Sequence, residues 1–210
     1  MKILVIGSTG RVGLLLTEKL LQDNHKVVGT SRHGDRLFEA SNYSQIDLNL
    51  LGSMEEIRKE IPNDIEAVYF VSGSRGKNLL QVDLDGAVKT MRVAEDLGIK
   101  RYIMLSTIFS LQPERWNEVP SLRDYYLAKF YADQWLMKNT ELSYTILQPG
   151  HLKEVKATGK ISVNVNDLGD NSIEDVAETL KELLDKESTF QKVISMHDGG
   201  IPIKEAVSFS

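Results

Sequence analysis

The sequence contains no cysteine. That excludes a disulfide framework, thiol catalysis and cysteine-ligated zinc or iron–sulfur clusters. Positive charge is not in excess either: 25 Lys and Arg against 30 Asp and Glu give a formal net charge of −5. No basic field is present to draw in nucleic acid or an anionic membrane, so neither is expected as a partner. No apolar run approaches the roughly 20 residues that span a bilayer. The N-terminal apolar run is short and ends in glycine, unlike a signal peptide. A cytoplasmic protein is therefore expected. Repeats, low-complexity tracts and long linkers are also missing, and the four histidines, at 25, 33, 151 and 197, show no metal-ligand spacing. No metal is expected. What remains is an ordinary globular composition, 41% hydrophobic and 26% charged over 210 residues, enough for one domain with a full core.

The most informative stretch is the start. Lys2-Ile3-Leu4-Val5-Ile6 is a short β-branched apolar run, followed at once by Gly7-Ser8-Thr9-Gly10-Arg11-Val12-Gly13 and then by apolar residues at helical spacing from Leu14 to Leu21. Strand, glycine turn and helix form the context of a dinucleotide fingerprint. Gly7 permits the tight turn, Gly10 leaves the backbone open to a pyrophosphate, and Gly13 lets the helix pack closely on the strand. The free N–H groups and the positive end of the helix dipole then face the phosphates.

Further along, segments alternate. Strands are expected at 25–30, 44–47, 67–71, 101–105, 142–147 and 192–196. Helices are expected at 54–61, 79–97, 124–138 and 172–186, the last two opened by capping-box spacings, Ser121 with Asp124 and Ser172 with Asp175. This order implies an α/β fold: a Rossmann-type, doubly wound, mainly parallel sheet with helices on both faces. Residues 153–171 are the least regular part. They hold a short strand at 160–165 and read as a substrate-side flap or a surface loop. Ligands of such sheets bind beyond the carboxyl ends of the strands. Gly7 to Gly13, Ser31-Arg32, Asp47, Ser72 to Ser74, Ser106-Thr107 and Gln148 to Leu152 should therefore converge on one crevice.

An acidic residue at the end of the second strand would hold the ribose hydroxyls of NAD. Ser31-Arg32 stands there instead, and arginine grips a 2′-phosphate through paired charge-assisted bonds. NADP(H) is favoured over NAD(H), with Arg11 adding charge. Tyr125 and Lys129 lie four apart, on one helix face. Reduction of a carbonyl needs a proton donor at its oxygen, and a nearby lysine lowers the tyrosine pKa for that task. Lys129 also reaches the nicotinamide ribose, and Ser106, at the end of the preceding strand, would hold the substrate oxygen. Trp116 either closes over a flat substrate or anchors its loop. The helices at 79–97 and 124–138 offer a homodimer face.

These features together resemble the short-chain dehydrogenase/reductase superfamily, and within it the atypical, NmrA-like single-domain NAD(P)H-binding proteins. Besides the glycine loop, the marks are Asp47, Val82-Asp83-Leu84-Asp85-Gly86, Gly98-Ile99-Lys100-Arg101-Tyr102 and Leu105-Ser106-Thr107. Tyr125 with Lys129, Tyr144-Thr145-Ile146-Leu147-Gln148-Pro149-Gly150 and Ser172-Ile173-Glu174-Asp175-Val176-Ala177 complete the set. The resemblance implies that Asp47 and Leu48 border the adenine. It places Ser72, Gly73 and Ser74 beside the riboses, and Pro149, Gly150, His151 and Leu152 around the nicotinamide. It also implies that Gly86 lets its helix approach the cofactor strand. Gln148 departs from the arginine usual before Pro-Gly, and the chain lacks the sizeable C-terminal substrate domain of the sugar epimerases. The expected function is NADPH-dependent reduction of a small carbonyl, quinone or flavin. A non-catalytic NADP(H)-binding redox sensor is the alternative, and an epimerase the third reading.

Overall fold

The computed structural model describes residues 1–32, 34 and 36–208. Its centre is β1 (Lys2–Ile6), flanked in parallel by β2 (Lys26–Ser31) and β4 (Ala67–Phe70). β3 (Tyr43–Asp47) lies outside β2. On the other side β5 (Arg101–Leu105), β6 (Ser143–Pro149) and β10 (Lys192–Asp198) continue the parallel order. Pleating sends alternate β1 residues to opposite faces. Ile3 and Val5 enter a core under α1 (Arg11–Gln22) and α5 (Ile173–Glu182), while Leu4 and Ile6 enter a second core under α2 (Met54–Glu60), α3 (Ala87–Asp96) and α4 (Arg123–Lys138). The expected doubly wound Rossmann-type sheet is present. Among the described residues, no helix is long and apolar enough to cross a membrane.

Several local expectations are corrected. Within residues 153–171 the short strand expected at 160–165 is present as β8 (Lys160–Val163), which joins the main sheet antiparallel to β10, and β9 (Asp170–Ser172), not foreseen, pairs with β7 (His151–Lys153). After Gly199-Gly200 the chain returns as β11 (Ile201–Pro202), which pairs with β8, and ends in α6 (Ile203–Ala206). The helix expected at 79–97 is two pieces, a wide π-helical segment over Leu79–Gly86 and then α3. They meet at Gly86, where a Cβ would lie 3.1 Å from Leu50 Cβ. The glycine thus serves close packing against the residues that follow β3.

The two capping boxes fare differently. Ser121 sits in a 3₁₀ turn, Pro120–Leu122, that runs straight into α4, so no side chain caps that helix. Ser172 does cap α5, accepting from Asp175 N. The Asp175 carboxylate, however, is taken by Thr158 N at 2.8 Å and Gly159 N at 2.9 Å, which ties down the segment before β8 instead of closing the box. His33 lies outside the described residues.

Candidate active site

The strand order reverses beside β1, and there the loops after β1 and β4 meet. Gly7 adopts φ +95°, and a Cβ on it would lie 2.7 Å from Ser72 Cα. A Cβ on Gly13 would strike the Gly7 carbonyl oxygen. Both glycines are therefore needed by geometry, one for the turn and one for the approach of α1. Gly10 caps α1 without a side-chain bond, and no acidic residue occupies the first turn. The amides of that turn are thus left for a ligand. Ser8 is buried and donates to Thr30 O at 2.9 Å, while Thr30 Oγ1 accepts from Gly7 N at 3.1 Å. Ser8 braces the loop from behind, and Thr9 is exposed.

A cleft opens beside this loop. It is lined by Gly10, Arg11, Val12, Ser72, Gly73 and Arg75 and by Leu105, Ser106, Tyr125, Lys129 and Leu152. Arg11 and Glu154 approach within 3.4 Å at the rim. The structure thus brings the glycine loop, Ser72 and Gly73, Ser106, the Tyr125–Lys129 pair and Leu152 to one place. Ser74 adjoins it, its N–H donating to Asp83 Oδ2 at 3.0 Å. Pro149 is buried at the end of β6, and its carbonyl accepts from Ile108 N. A Cβ on Gly150 would strike Gly169 O. His151 is exposed beside Asp170.

On the adenine side, Arg32 and Asp47 are exposed at the ends of β2 and β3. The Ser31 hydroxyl accepts from Gln45 Nε2 at 3.3 Å. Leu48 is corrected: its side chain is buried in the core against α2, so only its backbone can border a ligand. Trp116 anchors its loop, stacking on Tyr126 at 6.1 Å and donating from Nε1 to Phe109 O at 2.9 Å.

Two expectations at the catalytic end are also corrected. The Ser106 hydroxyl does not offer its proton to the cleft; it donates to Asp133 Oδ2 at 2.7 Å. Lys129 does not lower the Tyr125 pKa. Burial, reinforced by the carboxylates of Asp83 and Asp133, pushes the phenol up. Lys129 is itself only 3% exposed, and burial pulls its ammonium down while the same two carboxylates oppose that shift. Its Nζ donates to Leu105 O at 3.0 Å and stands 5.8 Å from the Tyr125 ring centre.

The group that sequence reading missed is Asp133. It lies one further helical turn along from Tyr125 and Lys129, a four-residue spacing that was open to notice. Asp133 Oδ2 accepts from Ser106, from Ser110 Oγ at 2.6 Å and from Gln148 Nε2 at 3.3 Å; Gln148 also reaches Ser110 Oγ at 2.7 Å. Gln148 thus supplies neutral donors to a buried carboxylate. Asp83 and Asp133 each keep one buried oxygen without a hydrogen-bond partner among the described residues.

Burial pushes the Asp133 carboxyl up to about 6, against the opposing pull of its hydrogen bonds from Ser110 and Ser106, the Lys129 charge and Gln148. The folded chain therefore holds this proton more tightly than the unfolded chain. The stability so contributed is full below about pH 4 and is lost as pH rises through about 6. Asp133→Asn removes the titration. Thermal melts should show the variant gaining on the wild type between about pH 4 and about pH 8, by on the order of 2 kcal/mol. A difference between the two proteins that stays constant with pH would show that Asp133 does not titrate in this range.

Comparison with known proteins agrees with this geometry. A family model described as NAD(P)H-binding matches residues 7–187. A solved oxidoreductase, ylbE from Lactococcus lactis, is 45% identical with a TM-score of 0.95, covering 100% of this chain and 96% of that one. A Bacillus subtilis (strain 168) protein named as an uncharacterized sugar epimerase, YhfK, is 37% identical over 217 residues, 99% of each chain. A short-chain dehydrogenase/reductase of Veillonella parvula DSM 2008, solved in complex with NADP, shares the fold at 15% identity and a TM-score of 0.78, over 96% of each chain.

Proposed function

Because the chain belongs to the NAD(P)H-binding family, we propose that it is an NADPH-dependent reductase of a small carbonyl, quinone or flavin. The observation that carries this reading is that the first turn of α1 and the Tyr125–Lys129 pair line one cleft. The residues fit a dinucleotide: the glycine cradle admits no Cβ at Gly7 or Gly13, and no acidic group competes with phosphate at the start of α1. Bound there, a reduced nicotinamide supplies hydride. Tyr125 keeps its proton at neutral pH because burial raises its pKa, so it stands as a donor to a substrate oxygen that gains negative charge. Lys129, steadied on Leu105 O, has two further N–H bonds for ribose hydroxyls. With its proton committed to Asp133, Ser106 offers lone pairs to the ligand. Val12 and Leu152 supply apolar wall. Arg32 is exposed just past the end of β2 and makes no ion pair among the described residues, which supports its role as the 2′-phosphate partner.

Calorimetric titration with NADPH and NADH, followed by a panel of carbonyls, quinones and flavins, tests the reading. Arg32→Glu should weaken NADPH by at least about tenfold more than NADH, the loss of a charge-assisted bidentate pair. Equal weakening of the two would remove the 2′-phosphate role. Tyr125→Phe should spare NADPH affinity and lower carbonyl turnover by about 10²–10⁴-fold, the range for a lost general acid. Quinone or flavin reduction, which can run on hydride alone, should survive it. Tight binding with no turnover on any substrate would replace the reductase with the non-catalytic sensor. The name of the Bacillus subtilis relative supports a further reading, a sugar epimerase. That chemistry would show as oxidised cofactor recycled without net consumption.

A further inference from the structure

The cleft is basic although the chain as a whole is acidic. Arg11, Arg75 and Lys129 line it and no acidic residue does, in a chain of net charge −5. A cleft lined by one sign of charge concentrates ligands of the other. Two of the three basic groups are already engaged: Lys129 Nζ donates to Leu105 O at 3.0 Å, and Arg11 approaches Glu154 within 3.4 Å. Arg75 is exposed, and its side chain makes no hydrogen bond or ion pair among the described residues. Its backbone is also unusual. Arg75 has φ +54° and Gly76 φ +81°, and Lys77 N donates to Ser74 O at 3.2 Å. Two left-handed residues inside that hydrogen bond are the mark of a type I′ turn, whose first central position favours Asn, Asp or Gly. A long side chain there carries strain, and such strain concentrates at ligand-binding sites. The turn is fixed in place as well: Ser74 N donates at 3.0 Å to Oδ2 of the buried Asp83. A free guanidinium is thus held at the cleft on a tight, anchored turn.

Resting on the reductase reading, we propose that Arg75 selects an anionic substrate: a carbonyl, quinone or flavin that carries a carboxylate, sulfonate or phosphate. The acidic group pairs with the guanidinium through charge-assisted hydrogen bonds, while the reducible group lies at Tyr125. The cofactor leaves this cation unused. Its pyrophosphate meets the amides that open α1, and its 2′-phosphate meets Arg32 after β2. Arg75 follows β4, on the other side of β1 from β2, and shares the cleft with Tyr125 and Lys129. An anion bound there is a second one, beyond those of the dinucleotide. The planar fork of arginine suits a carboxylate or phosphate better than a point charge would, and its fixed turn holds that fork in register with the tyrosine.

Paired probes that differ only in the acidic group test this: flavin mononucleotide against riboflavin, and 4-carboxybenzaldehyde against benzaldehyde. With NADPH, the wild type should favour the charged member in kcat/KM by at least about fivefold. Raising salt from about 50 mM to about 500 mM should shrink that advantage. Arg75→Asn, which suits the turn and so should melt no lower than the wild type, should abolish it. A smaller advantage in every pair that is reduced overturns the proposal and leaves the reductase standing, as does an advantage that survives Arg75→Asn. If no probe is reduced, the reductase reading falls, and flavin fluorescence on the NADP⁺-loaded protein decides about Arg75. Flavin mononucleotide bound at least about fivefold tighter than riboflavin, and only while Arg75 is present, keeps the anion site; equal binding or none overturns it. Calorimetry with NADPH closes the last alternative. An Arg75→Asn variant that binds NADPH at least about fivefold more weakly would assign the guanidinium to the cofactor and overturn the proposal.

Discussion

Gly13→Ala should raise the dissociation constant for NADPH by about 100-fold or more while leaving the protein folded. The new Cβ would land on the Gly7 carbonyl oxygen. Gly7 cannot retreat: it sits at φ +95° with Ser72 Cα 2.7 Å from where its own Cβ would be. The strain is therefore relieved by moving α1 outward, at about 1–3 kcal/mol of overpacking cost. That displacement draws the first-turn amides away from the pyrophosphate. Two hydrogen bonds to a charged group, each worth about 1.5–3 kcal/mol, account for the expected loss at roughly 1.4 kcal/mol per tenfold. Gly200→Ala is the control, because a Cβ there meets nothing within 4 Å. Calorimetry on both variants, with melting temperatures measured in parallel, decides the matter. NADPH binding by Gly13→Ala within a few-fold of the wild type would mean that the loop is not the cradle.

The second large effect is on stability and lies far from the cleft. Arg101 is 5% exposed at the start of β5 and has no carboxylate in hydrogen-bond contact. Its guanidinium donates to Leu184 O at 2.9 Å, Leu183 O at 2.5 Å and Ser143 O at 2.8 Å, and stacks 4.4 Å from the Phe190 ring centre. Burial pulls its pKa down to about 10, opposed by Tyr69 and Asp185, so the cation persists at neutral pH. Leu183 is the C-cap of α5 and Leu184 follows it, where helix carbonyls lack intrahelical partners. Arg101 is thus the C-terminal cap of α5 and bolts that helix to the sheet. Arg101→Ala takes a charged donor from three carbonyls, of which Leu183 O keeps only Lys186 N at 3.4 Å, and should cost about 3–5 kcal/mol, or roughly 10 °C in melting temperature for a chain of this size. Arg101→Lys replaces the fork with one ammonium and should recover less than half. A loss under about 1 kcal/mol for the alanine variant would mean that water takes over these carbonyls at little cost.

What the sequence determined by itself was whatever depends on neighbours along the chain. The glycine loop, the strand and helix order and the spacing of Tyr125 and Lys129 follow from local periodicity and from backbone limits that act over a few residues. Those suffice for the parallel sheet, the crevice and most of the residues that line it. Tertiary structure decided where the polar atoms point. Ser8, Ser31 and Ser106 all read as ligand contacts, yet each hydroxyl is engaged by a residue distant in sequence: Thr30, Gln45 and Asp133. Tyr125 was expected to be made more acidic by Lys129, but the buried carboxylates of Asp83 and Asp133 reach the same spot from the π-helical segment and from further along α4, and they work the other way. Spacing cannot show desolvation, because burial depends on what the rest of the chain stacks over a group. In residues 153–171 the short strand was legible in sequence but its partner was not, for the same reason. β8 is short and half polar, and it becomes a sheet strand only because β10, more than thirty residues later, presents an open edge for it to pair with.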